Sequence, residues 1–121
     1  MIDARLVIDI HDFILSEEPG LQGHHDPGRL DGALARIDHR IVYDGLDDIY
    51  EIAAMYAVAI ARGHCFNDAN KRTALVTALT YLDLQGISLT RSAKLEDIMV
   101  DVAEGRLEPA ELADLFYSLA R

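Results

Sequence analysis

The chain has 121 residues, half of them hydrophobic and 26% charged, which suits one compact domain and excludes wholesale disorder. Eleven basic residues against 21 acidic ones leave a net charge of −10, so bare nucleic acid and anionic membranes would be repelled, and any phosphate-binding ability must be local. The longest apolar run, Ile52 to Ala61, is too short to span a bilayer; no basic segment with an apolar one behind it opens the chain; and a lone cysteine, Cys65, excludes an internal disulfide framework, all of which fits a reducing cytoplasm.

Helical spacing recurs along the chain, and an all-α domain of six helices covering residues 1–121 is expected. Leu6, Ile10, Phe13 and Ile14 share one face of a first helix, and Leu30, Leu34, Ile37 and Ile41 one face of a second. Asp26 followed by Pro27 starts that second helix, an acceptor at the cap and a pre-set φ beside it. Between them lies Glu17 to Asp26, EEPGLQGHHD, a long loop of the kind that serves as a lid or binding edge or is simply mobile. A third helix runs from about Asp48, where Glu51 completes a capping box, to Ala61; apolar on every side, it is the expected buried centre. The fourth starts near Asn70 and runs to about Leu84, with Leu75, Leu79 and Leu82 inward and Gly86 as the stop. Leu95, Ile98, Met99 and Val102 mark a fifth, and Pro109 opens a sixth with Leu112, Leu115, Phe116 and Leu119 inward. Ile87 to Thr90 and part of the long loop are the candidate extended pieces.

The chemistry concentrates between the third and fourth helices, in Arg62-Gly63-His64-Cys65-Phe66-Asn67-Asp68-Ala69-Asn70-Lys71-Arg72. The first N–H groups of a helix lack intrahelical partners and, with the helix dipole, form an anion site. Asn70, Lys71 and Arg72 fall in that first turn, where cations disfavour the helix by a few tenths of a kcal/mol or more, a penalty that a bound polyphosphate reverses. His64 can accept a proton from a hydroxyl at cellular pH, and Asp68 supplies a hard oxygen for Mg²⁺, which takes few protein ligands. Base, metal carboxylate and phosphate clamp are the parts of nucleotidyl or phosphoryl transfer. Taken singly, His64 reads as a core histidine, Asp68 as an N-cap and Asn70–Arg72 as a solvated first turn; taken together they point to a site.

Other groups read as structure. Phe66 is expected to anchor the loop and Cys65 to be a small buried hydrophobe, while Tyr50 and Tyr56 belong to the core of the third helix. His11 and His39 are expected at the surface or half-buried, His24 and His25 in solvent on the loop, and Glu104, Glu108 and Glu111 on a solvated acidic face.

His64-Cys65-Phe66-Asn67-Asp68-Ala69-Asn70-Lys71-Arg72 resembles the signature of the Fic/Doc family, His-x-Phe-x-Asp/Glu/Asn-Gly/Ala-Asn-x-Arg, and its lysine matches the Doc (death-on-curing) branch. Asp26-Pro27-Gly28-Arg29 and Ala61-Arg62-Gly63-His64 extend the resemblance over nearly the whole chain. It implies a compact helical Fic/Doc fold and the toxin of a type II toxin–antitoxin pair. Such a toxin would be a kinase moving the γ-phosphate of Mg·ATP to a Ser/Thr hydroxyl of a translation factor, elongation factor Tu. On the same footing His64 would be the catalytic base and Asp68 the Mg²⁺ ligand. Asn70, Lys71 and Arg72 would hold phosphates with Arg62 nearby, and residues 17–26 would be the flap that holds the target in extended form. A Phd-like antitoxin is the partner that the resemblance implies, and with no inhibitory helix motif evident in the chain, inhibition would come from that other protein. Two departures argue against AMP transfer: Lys71 replaces a glycine, filling space the nucleotide would use, and Leu75 stands where a second arginine would be. The competing readings are a Fic-type AMP transferase and a non-catalytic helical binding module.

Overall fold

A computed structural model describes residues 1–23 and 26–120. Six helices are present: α1 Ala4–Glu17, α2 Pro27–Tyr43, α3 Ile49–Gly63, α4 Asn70–Leu84, α5 Ala93–Ala103 and α6 Pro109–Ala120. No strand forms among the described residues; Ile87–Thr90 is irregular, and Phe66 occupies a single bridge position beside the long loop. His24 and His25 lie outside the described residues.

The helix starts at Asp26 and Asp48 follow the predicted chemistry, and the structure adds caps at Asp3 and Ser92. Asp3, Asp26, Asp48 and Ser92 each cap a helix by accepting a backbone N–H two or three residues ahead. Such a cap contributes about 1 kcal/mol.

α3 is the axle. Ile52, Ala53, Ala54, Tyr56, Ala57, Ile60 and Ala61 are buried, while Met55, Ala59 and Arg62 form one partly exposed stripe, and the helix packs against α2, α4, α5 and α6. Its widest contact is with α4, where Ala74, Leu75, Ala78 and Leu82 are fully buried. Alanines on both helices let the axes approach closely, which brings the end of α3 and the start of α4 side by side. Tyr56 keeps its phenol in the core because the hydroxyl accepts the N–H of Ile2 at 3.0 Å. Tyr50 is half-buried and meets Tyr117 edge-on.

α1 corrects the predicted face. Its buried residues are Val7, His11, Ile14 and Leu15, while Phe13 is 67% exposed. The stripe is rotated because α1 seats on α4 and on the loop before it, and that loop takes a histidine where the apolar pattern offered Phe13. His11 is therefore a core residue at 0% exposure, not a surface one.

The rotated face predicts unequal losses in urea unfolding. Ile14→Ala should cost about 2–5 kcal/mol, the usual range for a buried large-to-small change. Phe13→Ala should stay within about 0.5 kcal/mol, as at other exposed positions. Comparable losses for both would contradict the assignment.

Candidate active site

α3 ends at His64, which caps it in the left-handed region at φ 50, and α4 is entered through Ala69, also left-handed at φ 65. Non-glycine residues adopt this region at a cost, and such strain persists where surroundings over-determine it. Three features do so here. Cys65 and Phe66 are buried, and burial pushes the Cys65 thiol up. The Asn70 side chain clasps Phe66, accepting its N–H at 3.2 Å and donating to its carbonyl at 3.1 Å. His11 stacks on the Phe66 ring at 3.9 Å, and its Nε2 lies 3.1 Å from the Asp68 carbonyl.

The result is a cleft of about 310 Å³ lined by His64, Asn67, Asp68, Asn70, Lys71 and Arg72, with Ala61, Ala69 and Ala103 closing it. His64 is exposed in it. No side chain caps α4, so the backbone donors of its first turn carry their partial positive charge into the cleft. No carboxylate pairs with Lys71 among the described residues. Asp68 accepts the N–H of Leu21 at 3.0 Å and of Ala69 at 2.7 Å, with Arg72 at 3.9 Å. These two backbone donors first, then the charges of Arg72 and Lys71, hold its carboxyl below the usual range. It is ionised at neutral pH and partly open to solvent. A single such carboxylate suits Mg²⁺ ligated mostly by water and phosphate, and no group of three or more potential ligands occurs among the described residues.

The loop after α1 is tied to the motif. Besides the Leu21 bond, Asn67 Nδ2 donates to the Gln22 carbonyl at 3.3 Å and the Asp26 N–H to the Cys65 carbonyl at 3.0 Å. Gly20 permits the approach: a Cβ there would stand 2.6 Å from Leu15 and 2.9 Å from Asp68.

Arg72 leads into a charge chain. Its Nη1 donates to Glu18 at 3.3 Å and to the Pro19 carbonyl at 3.1 Å. Arg91 grips the same Glu18 carboxylate at 2.7 and 3.0 Å and reaches Glu96 at 2.7 Å. The Arg91 hydrogen bond, followed by that of Arg72, holds Glu18 below its ordinary 4.5 against the opposing effect of burial. A second cavity of about 410 Å³ opens here and shares Lys71 and Arg72 with the cleft.

Of the residues predicted for the site, His64, Asp68, Asn70, Lys71 and Arg72 meet in the cleft, although the Asn70 amide is committed to the Phe66 clasp, leaving its backbone N–H for a ligand. Arg62 departs from the expectation. Its guanidinium donates to the Val102 carbonyl at 2.8 Å and the Leu107 carbonyl at 2.5 Å and meets Glu108 at 3.3 Å, so it ties α3 to the α5–α6 connection instead of facing the cleft. Leu75 is fully buried. Glu104, Glu108 and Glu111 are exposed, as expected. Glu18 and Arg91 carry no individual expectation from the sequence, and His11 is expected at the surface or half-buried rather than beneath the site. His11 alone carries a signal, its spacing of four from Val7 and three from Ile14.

Two comparisons with known proteins place these residues in context. The model of the Fic/DOC family matches residues 1–82. The chain is similar to the protein kinase doc of Escherichia phage P1, with 43% identity over 113 residues that span 93% of this chain and 90% of that one. It is also similar to the toxin Doc of Mycolicibacterium smegmatis, with 37% identity over 83 residues, 64% of this chain and 63% of that one.

Two outcomes are expected. Because Glu18 is held below 4.5, its stabilising contribution is present above that pH and is lost as pH falls through the lowered value. Glu18→Gln should therefore melt below the parent at neutral pH, with the two melting temperatures converging as pH drops under 4.5; a constant gap would contradict this. His11→Ala should destabilise the fold by about 1–3 kcal/mol and speed amide exchange at residues 66–69 more than in α6. Uniform exchange would show that His11 does not hold the loop.

Proposed function

The chain belongs to the Fic/DOC family, and from that premise we propose that it is a protein kinase toxin resembling Doc. It moves the γ-phosphate of ATP to a Ser/Thr hydroxyl of a translation factor, elongation factor Tu, and so halts translation in the cytoplasm. It is the toxin half of a type II pair, kept silent by a Phd-like antitoxin.

One observation carries this reading: His64 stands in the same cleft as the uncapped N-terminus of α4 with Lys71 and Arg72. The substrate hydroxyl gives its proton to the His64 imidazole as its oxygen bonds to the γ-phosphorus. The bond from that phosphorus to the β–γ bridging oxygen breaks, and ADP leaves with the electron pair. Backbone N–H groups of Asn70–Arg72 and the Lys71 and Arg72 side chains hold the transferring phosphoryl oxygens, charge that grows in the transition state. Asp68 would hold Mg²⁺, which when bound would neutralise charge on the phosphate oxygens. The loop tied to Asn67 and Asp68 lines up the acceptor peptide.

Two facts favour γ-phosphate over AMP transfer. Lys71 projects a charged chain from the first turn where the family signature of AMP transferases has glycine, and the relative that shares 43% of residues carries the name protein kinase.

The test is incubation of the protein with Mg²⁺, purified elongation factor Tu and ATP labelled at either the α or the γ phosphate. Label from γ alone is expected on the factor, reduced by about 10²–10⁴-fold in His64→Ala, the usual range for a general base. Label from α would establish AMP transfer instead. Labelling unchanged in His64→Ala would remove His64 from the mechanism.

A further inference from the structure

The cavity beside the Arg91–Glu18–Arg72 chain has no part in the steps drawn for the cleft, yet the two meet at Lys71 and Arg72, which line both. It holds about 410 Å³, within the range of small-molecule sites. Its walls differ from those of the cleft. α4 contributes Leu75, one turn beyond Lys71, and α5 contributes Met99 and Val100, so one side is hydrocarbon. Leu75 and Met99 are fixed in the core at 0% and 1% exposure, while Val100 stands at the rim at 37%.

The charges along this cavity largely neutralise one another. Glu18 lies between Arg72 at 3.3 Å and Arg91 at 2.7 Å, and Arg91 also takes Glu96 at 2.7 Å. Two arginines and two carboxylates thus cancel, which leaves Lys71 at the junction with the cleft and Asp97 on α5. The Asp97 carboxylate has neither an ion pair nor a side-chain hydrogen bond among the described residues. The cleft therefore favours anions, and the cavity does not. An uncharged group with a flat apolar face and hydroxyl donors suits the cavity better than a further phosphate does.

We infer that this cavity seats the nucleoside of the phosphate donor, with the base against Leu75, Met99 and Val100 and the ribose hydroxyls on Asp97. The inference rests on the phosphoryl-transfer reading of the cleft. A polyphosphate held by the first turn of α4 passes Lys71 and Arg72, and those two side chains open into the cavity. A ribose diol offers two adjacent O–H donors to the two oxygens of one ionised carboxylate, and Glu18 and Glu96 are already engaged, so Asp97 is the free acceptor. A base face covers hydrocarbon on the Leu75 side and needs no charge there. A peptide acceptor fits the cavity less well: the loop bonds of Leu21 and Gln22 run to Asp68 and Asn67, neither of which lines it. Asp97 thereby becomes the residue that selects a ribonucleotide donor.

The test measures binding, so it does not depend on transfer taking place. The probes are inorganic tripolyphosphate, the ATP analogue with an imido β–γ bridge, and the 2′-deoxy form of that analogue, each titrated calorimetrically with Mg²⁺ into the intact protein. The imido analogue should bind at least about tenfold tighter than tripolyphosphate and about tenfold tighter than its 2′-deoxy form, the scale of one hydrogen bond to a charged group. Asp97→Asn should shrink the 2′-hydroxyl preference to about twofold or less while leaving tripolyphosphate binding unchanged. Amide exchange supplies a second measurement on the parent protein. The first turn of α4 should be protected by either probe, and α5 only by the nucleotide. A 2′-hydroxyl preference that is absent, or that survives Asp97→Asn, would overturn the role of Asp97. Nucleotide protection falling on α2 or α6 instead of α5 would place the nucleoside elsewhere and overturn the seat. Tripolyphosphate binding as tightly as the nucleotide would overturn the seat and leave the phosphate site of the cleft standing, whereas binding of neither would overturn both. A melting curve on Asp97→Asn, a substitution at an exposed position, separates lost binding from lost fold.

Discussion

The Asn70 clasp on Phe66 is the interaction on which the site depends. It closes the segment His64–Ala69 into a fixed turn, so the left-handed His64 at one end and the first N–H groups of α4 at the other keep a constant spacing. Neither end would hold this shape alone. A left-handed histidine costs free energy, and an uncapped helix start leaves donors unpaired. The buried Phe66 ring and the His11 stack beneath it supply what offsets both. The wide α3–α4 contact then makes the turn part of the core rather than a free loop.

Electrostatics gives that turn its selectivity. The protein repels anions at long range, yet the cleft concentrates helix N–H groups, Lys71 and Arg72 within one small volume. Asp68 and Glu18 hold Arg72 in place from two sides, and backbone donors keep Asp68 charged. A phosphate group entering the cleft therefore meets a preorganised set of donors. Such preorganisation is the main way a protein lowers the barrier to phosphoryl transfer, where it does little covalent chemistry itself.

Much of this was legible in the sequence. The all-α architecture, the buried third helix, the start of α4 at Asn70 and the meeting of His64, Asp68, Lys71 and Arg72 all followed from periodicity, capping and one dense polar segment. The misreadings have physical causes. Phe13 fits the apolar pattern better than His11, but what α1 packs against is a loop carbonyl and an aromatic face, which suit an imidazole. Arg62 is two residues from His64 in sequence, but the helical turn between them points its chain at the α5–α6 connection. The bond from the Leu21 N–H to Asp68 and the grip of Arg91 on Glu18 join residues far apart in sequence, and a backbone donor has no residue-type signature.

The central claim is that the N-terminus of α4 holds the phosphoryl group being transferred beside His64. Its most direct test is a crystal structure of the protein with Mg²⁺ and a non-hydrolysable ATP analogue. The account predicts the γ-phosphate on the N–H groups of Asn70–Arg72, with the His64 imidazole facing the side from which a hydroxyl would attack. An α-phosphate in that position, or a nucleotide bound away from the α4 terminus, would contradict it.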